Sequence, residues 1–254
     1  MIHEFCKDIA RKDYVTIALV GCGGTGSQMV TCLARLNVAL EALGKQRIGV
    51  VAFDPDRVSE ANVGRQLFLR GEIGAHKSVA LITRANMQFG TFWQARSTEF
   101  EPGNNIFDIV ITCVDTVAAR VKIASELHFF RNPCYWLDMG NKRRTGQAWL
   151  GLVNSQASMP TILEAFPSEY DANEPEDNEP SCSLAAALKT QDLFVNDFAA
   201  RYGADLLQRL LQDGKTDIQG WFFDLDRGAN PVYIQSPVLT KTTKRGSVRN
   251  GAAK

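Results

Sequence analysis

The sequence contains no C-x-x-C pair; its six cysteines (Cys6, Cys22, Cys32, Cys113, Cys134, Cys182) stand singly along the chain. That spacing argues against a structural zinc site and against a disulfide framework, so no zinc is expected. No apolar run approaches the ~18 residues a membrane helix needs, and no basic-then-apolar leader opens the chain. The expectation is a soluble, unexported, cytoplasmic protein without a membrane partner. Net charge is absent as well: 28 basic residues balance 28 acidic ones, so bulk electrostatics do not point to nucleic acid. No internal repeat is visible. At 254 residues with 45% apolar content, the chain can build one large α/β domain with a sizeable embellishment.

The informative stretch runs from Val15 to Lys77. Val15–Val20 is continuously apolar and rich in β-branched residues, as a buried parallel strand requires. Gly21-Cys22-Gly23-Gly24-Thr25-Gly26 comes next, then Met29, Val30, Leu33, Leu36 and Leu40 at helical spacing, which predicts a helix from Thr25 to about Leu43. In this pattern Gly21 permits a tight turn, Gly23 lets backbone approach phosphate, and Gly26 lets helix pack on strand. Unpaired amides of the first helical turn then face an anion. Ile48–Phe53 reads as the next strand, with Asp54 at its carboxyl end, where an acid usually takes ribose hydroxyls. This much fits an NAD(P)-linked oxidoreductase equally well.

The residues from Asp54 to Lys77 narrow the choice. Asp54-x-Asp56, then Asn62, Arg65 and Gln66, and finally Lys77 place two acids, two amides and two cations just beyond the strand. A dinucleotide oxidoreductase has no need of Arg and Lys converging there. A triphosphate does, because Arg forks onto phosphate oxygens and Lys adds a point charge. The plainer reading of both cations is solvated surface charge.

Downstream, Thr91–Phe100 is a possible strand, Asp108–Val114 a buried strand ending on Asp115, and Val117–Phe130 a helix. Tyr135–Asn141 and Gly146–Val153 read as strands around a Lys142-Arg143-Arg144 turn. Residues 154–181 are acidic and proline-bearing, a long loop by composition. Leu184–Leu211 reads as helix, interrupted near Gly203. Trp221–Leu225 and Pro231–Ile234 flank a hairpin turn. From Leu239 the tail is basic without an acid. It reads as disordered, with weak nucleic-acid contact as the alternative.

Gly21, Gly23, Gly24, Gly26, Asp54, Asp56, Asn62, Arg65, Gln66 and Lys77 together resemble the ThiF/MoeB/ubiquitin-activating-enzyme superfamily. Its members adenylate the C-terminus of a small ubiquitin-like or sulfur-carrier protein. The resemblance implies a Rossmann-like, doubly wound α/β fold: a mostly parallel sheet, late antiparallel strands and a crossover loop at about 154–183. It implies one adenylation domain over 15–236, an arm over 1–14 and a tail over 237–254. It further implies ATP bound by those ten residues, Mg²⁺ held at Asp115, and a partner with a C-terminal glycine. Asp115 has the alternative role of a helix N-terminal acid. Cys182 falls where some members carry an acceptor thiol; a small residue at a helix start is the other reading. The resemblance implies a homodimer, and in the family an arginine of an N-terminal arm reaches the neighbouring subunit's ATP; Arg11 is the candidate here, without a motif around it. The late 182–197 stretch and the missing zinc cysteines are most similar to the ThiF-like proteins of PRTRC-type mobile-element systems. A non-catalytic nucleotide-binding module stays open beside the enzyme.

Overall fold

The computed structural model describes residues 1–103, 107–155, 159–170 and 191–235. In chain order come β1 (His3–Glu4), α1 (Lys7–Ala10), β2 (Tyr14–Val20), α2 (Gly24–Ala42), β3 (Arg47–Phe53), α3 (Lys77–Phe89) and β4 (Gln94–Arg96). Next are β5 (Ile109–Thr112), α4 (Val117–His128), β6 (Cys134–Asn141), β7 (Thr145–Val153), α5 (Ile162–Ala165), α6 (Val195–Gln212), β8 (Lys215–Thr216), β9 (Ile218–Asp224) and β10 (Gly228–Tyr233). The main sheet has eight strands in the order β10-β9-β7-β6-β5-β2-β3-β4. β4, β3, β2, β5 and β6 are parallel; β7, β9 and β10 are added antiparallel. This is the expected Rossmann-like α/β sheet with late antiparallel strands.

Side-chain alternation along the central strands divides the interior into two layers. Ile17 and Leu19 of β2, Ile109 and Ile111 of β5, and Leu137 and Met139 of β6 pack against α2, α3 and α6. Ala18 and Val20, Val110 and Trp136 face the opposite way, toward Ile123 and Leu127 of α4 and Ile162 of α5. Strand order reverses between β2 and β5, so the crevice at their carboxyl ends is the topological switch point, where open α/β sheets bind ligands.

Two expectations are corrected. The strand looked for over 91–100 is only Gln94–Arg96, because Trp93 turns inward and its indole N–H donates to the Ile48 carbonyl at 2.8 Å. Helix α6 is not interrupted at Gly203. A Cβ there would come within 2.4 Å of Met139 Sδ, so the glycine serves close helix–sheet approach. The first residues, unassigned from sequence, pair β1 with β8 and bury Phe5 and Ile9. Among the described residues no helix is long and apolar enough to cross a membrane.

Beneath the sheet, the buried Tyr135 hydroxyl accepts from the Cys6 N–H at 2.9 Å and meets His3 Nε2 at 2.7 Å. Burial holds the His3 pKa below 6.5, partly offset by the charge of Glu4. The unfolded chain therefore takes the proton at higher pH than the folded one. This contribution is full above pH 6.5 and declines as pH falls below it. Melting temperature is expected to drop on acidification just below pH 6.5, and His3→Gln to flatten that limb; parallel curves for parent and variant would count against the pair.

Candidate functional site

The turn after β2 is built by steric exclusion. Gly21 has φ +89°, and a Cβ on it would sit 2.8 Å from the Cys113 carbonyl oxygen at the end of β5. A Cβ on Gly26 would lie 1.9 Å from the Gly21 carbonyl oxygen, so any side chain there breaks the turn. At Gly24 a Cβ would strike the Asn196 side chain at 2.5 Å. Gly23 differs: its nearest neighbour is Gln66 Nε2 at 3.9 Å, leaving open space beside the backbone. Gly23 caps α2 without a side chain, so the first amides of the helix have no partner within it.

Asp54 braces this turn from β3. Its Oδ2 accepts from the Cys22 N–H at 2.6 Å and its Oδ1 from the Asp56 N–H at 2.8 Å. The side chain is 6% exposed, and burial raises its pKa against the opposing pull of those amides and of Lys77. With both oxygens committed to backbone, Asp54 serves first as a clamp between strand ends. Asp56 holds Lys77, the first residue of α3: Nζ to Oδ2 is 2.8 Å, and the Lys77 N–H donates to the Asp56 carbonyl at 2.9 Å. The lysine is 8% exposed while the Asp56 side chain is largely open to solvent.

The loop between β3 and α3 brings the remaining residues over the glycines. Asn62 Oδ1 accepts from the Ser59 N–H at 2.9 Å and the Asn62 carbonyl from the Gln66 N–H at 2.9 Å, shaping a short 3₁₀ turn. The Leu67 N–H donates to Ser27 Oγ at 3.1 Å and ties the loop to α2. Gln66 is 6% exposed, yet its Oε1 has no partner among the described residues; the same holds for Arg65 Nε. Arg65 Nη1 donates to Gln191 Oε1 at 2.7 Å. Burial lowers the Arg65 pKa, and the charge of Asp115 opposes it. Asp115 is exposed at the end of β5, and Thr116 beside it caps α4, accepting from the Ala119 N–H at 3.1 Å.

Sequence reasoning missed two groups. Thr25, Asn141, Gln191 and Asn196 form a polar cluster under the turn, joined by bonds of 3.0 to 3.3 Å and by a Gln191 Nε2 to Asn141 Oδ1 contact. A polar residue inside the buried stripe of α6, Asn196 between Val195 and Ala199, was the only available signal. The second group is Arg120 and Asp138, buried and paired at 3.0 Å; Arg120 also donates to the Val114 carbonyl at 2.7 Å and Asp138 accepts from Thr112 Oγ1 at 2.6 Å. The Lys142-Arg143-Arg144 turn is more than solvated: Arg144 pairs with Asp192 and Asp226. Burial raises the Cys22 and Cys113 thiol pKa values, so neither is a nucleophile at the turn. Cys182, the bulk of the expected crossover loop and the basic tail lie outside the described residues.

Fold and site define a Rossmann-like α/β protein with an open glycine turn and converging cations at its switch point. The chain belongs to the ThiF family, whose model matches residues 3–242. It is 25% identical over 181 residues to mouse ubiquitin-like modifier-activating enzyme 6 and 24% identical over 184 residues to the human protein. Each match takes in 67% of this chain and 16% of the relative, so the chain spans about a sixth of the length of those enzymes. Among solved structures, PaaA superposes with a TM-score of 0.58 at 13% identity, covering 87% of this chain and 64% of that one. E. coli MccB with ATP superposes at 0.56 and 14% identity, covering 91% and 66%. At such identity these likenesses concern the fold.

Removing the Asp54 clamp leaves two amides without acceptors. Asp54→Ala is expected to cost about 1–3 kcal/mol for each amide that stays buried and unpaired, read as a lower urea midpoint. An unchanged midpoint would mean the turn stands without it.

Proposed function

We propose that the protein is an ATP-dependent adenylyltransferase that activates the C-terminal glycine of a small ubiquitin-like or sulfur-carrier protein. The observation that carries this reading is the convergence, over an open glycine turn, of Arg65 and Lys77 with two polar atoms that have no partner among the described residues, Arg65 Nε and Gln66 Oε1. The Arg65 donor and the two charges suit a triphosphate, while Gln66 Oε1, an acceptor, suits an N–H or O–H of the nucleotide. ThiF family membership supports the reaction class, and the related fold of MccB has been seen with ATP and with AMPCPP and MccA.

In this reading the amides after Gly23 and Gly24 and the two cations grip the phosphates. Asn62 and Gln66 position the nucleotide, and Asp56 faces the ribose side. Asp54 adds to ribose recognition only through whatever lone pairs its clamp leaves free. The carrier carboxylate attacks the α-phosphorus, a C–O–P anhydride forms, and the bond to the β-phosphate breaks to release pyrophosphate. The nucleophile is already ionised, so the protein contributes positioning and charge neutralisation.

Magnesium would neutralise the departing phosphates. It binds by one or two carboxylates plus phosphate oxygens. Asp115, exposed at the switch point within the field of Arg65, fits as its protein ligand. The ThiF-like homodimer is part of the same proposal; the segment bearing Arg11 packs on its own chain through β1, Phe5 and Ile9, so Arg11 would have to reach a neighbour from there.

An NAD(P)-linked oxidoreductase is less well supported. The clamp on Asp54 weighs equally on both readings, but a dinucleotide oxidoreductase has no use for Arg65 and Lys77 at this crevice.

Calorimetric titration tests the choice: Mg-ATP is expected to bind and NAD⁺ to leave no heat, and the reverse would remove the adenylation reading. With a carrier in hand, Arg65→Ala is expected to abolish ATP–pyrophosphate exchange and Asp115→Ala to weaken its Mg²⁺ dependence; unchanged exchange would take either residue out of the site. If Cys182 receives the activated acyl group, Cys182→Ala keeps exchange but forms no thioester, read by intact mass. A thioester surviving in that variant would place the acceptor elsewhere.

A further inference from the structure

Among the described residues, Arg65 differs from the other buried or half-buried cations in what holds it; the exposed Arg57, Arg96 and Arg201 also meet neutral acceptors. Lys77 is held by Asp56, Arg84 by Glu72, Arg120 by Asp138, and Arg144 by Asp192 and Asp226. Each of those cations shares its charge with a carboxylate. Arg65 is held by a neutral amide, the Gln191 side-chain carbonyl, at 2.7 Å. A neutral acceptor fixes a guanidinium's direction and leaves its charge for an anion, while its unpartnered Nε leaves a donor for one.

The amide is itself aimed. Gln191 Nε2 donates to Asn141 Oδ1, so the carbonyl end must point the other way, toward Arg65. Asn196 Nδ2 donates to the same carbonyl at 3.3 Å. Asn141 Nδ2 and Thr25 Oγ1 close the cluster on Asn196 Oδ1 at 3.2 and 3.0 Å. The start of α6, the end of β6 and the first turn of α2 are thereby bound to one another around Gln191. Its backbone is pinned too: the next residue, Asp192, donates its N–H to the Arg143 carbonyl at 2.9 Å and pairs with Arg144.

We infer that Gln191, aimed by Asn141 and Asn196, is the positioning residue that points the Arg65 guanidinium at the nucleotide phosphates while leaving its charge unspent. This rests on the adenylation reading. Gln191 does not touch the nucleotide; it acts through Arg65.

The test is a double-mutant cycle on the full chain, read by Mg-ATP calorimetry, with a melting curve for every variant. Losing a bond to a charged group, Gln191→Ala is expected to weaken Mg-ATP binding by about tenfold at the parent melting temperature. Gln191→Glu keeps shape and acceptor but spends the charge of Arg65, and it is expected to weaken binding further. In an Arg65→Ala background, Gln191→Ala is expected to add nothing, because its effect runs through the missing guanidinium. Parent-like binding by Gln191→Ala and Gln191→Glu overturns the inference, and so does a loss that repeats in full without Arg65. A parent that fails to bind Mg-ATP overturns the adenylation reading and this inference with it; a parent that binds, with only Arg65→Ala affected, overturns the inference alone.

Discussion

The site depends on one carboxylate sealed at the end of β3. Asp54 takes an amide from the turn after β2 and another from its own chain two residues on, and so locks the mouths of two adjacent parallel strands. Together with the Gly21 N–H, which donates to the Phe53 carbonyl at 2.9 Å, that lock holds Cys22, and with it the open side of Gly23, in register with the loop carrying Arg65 and Gln66. The cost is burial of a carboxylate, seen in its raised pKa. Two short amide bonds to the charged form offset that cost, since hydrogen bonds to ionised groups are the stronger kind. The glycines act in the same direction: Gly21 and Gly26 leave no room between the turn and the neighbouring strand for any other residue.

Around this lock the polar groups divide by how fully they are used. Arg120 and Asp138 are satisfied on every side and buried, and they bind the ends of β5 and β6 to α4 as structure. Lys77 is half committed, its ammonium on an Asp56 carboxylate that is itself open to solvent. Arg65 and Gln66 are the least committed, each with a buried polar atom left over among the described residues. Stable proteins pair nearly all such atoms, and the three orphans among the described residues, these two and His76 Nδ1 beside Lys77, all lie in the segment from Arg65 to the start of α3. The gradient from satisfied to unsatisfied groups runs toward the space beside Gly23.

Much of this was legible in the sequence wherever local pattern and structure coincide. Apolar β-branched runs marked β2 and β3, helical spacing marked α2, and the glycine turn with its trailing acid and cations marked the switch point. Errors arose where a distant contact decides. Trp93 shortens β4 by reaching the Ile48 carbonyl, and Gly203 keeps α6 close to Met139 instead of breaking it. The role of Asp54 was obscured because backbone amides, which no side-chain pattern reveals, occupy its oxygens. The amide cluster was invisible for another reason. Thr25, Asn141, Gln191 and Asn196 carry no charge, repeat with no period, and are drawn from three separate parts of the chain.

That invisibility arises from the chemistry the site has to favour. A cation anchored by an acid, as Lys77 is by Asp56, offers phosphate only part of its attraction, because the carboxylate and the phosphate compete for the same donors. Neutral amides escape the competition. They accept a hydrogen bond, fix the guanidinium plane and return no charge. Amides can equally donate or accept, so a single one orients nothing; it has to be committed at one end before the other is defined. Asn141 supplies that commitment for Gln191, and Asn196 and Thr25 supply it for Asn141. A cluster of several amides is therefore the smallest arrangement by which this fold aims Arg65 while leaving its charge free.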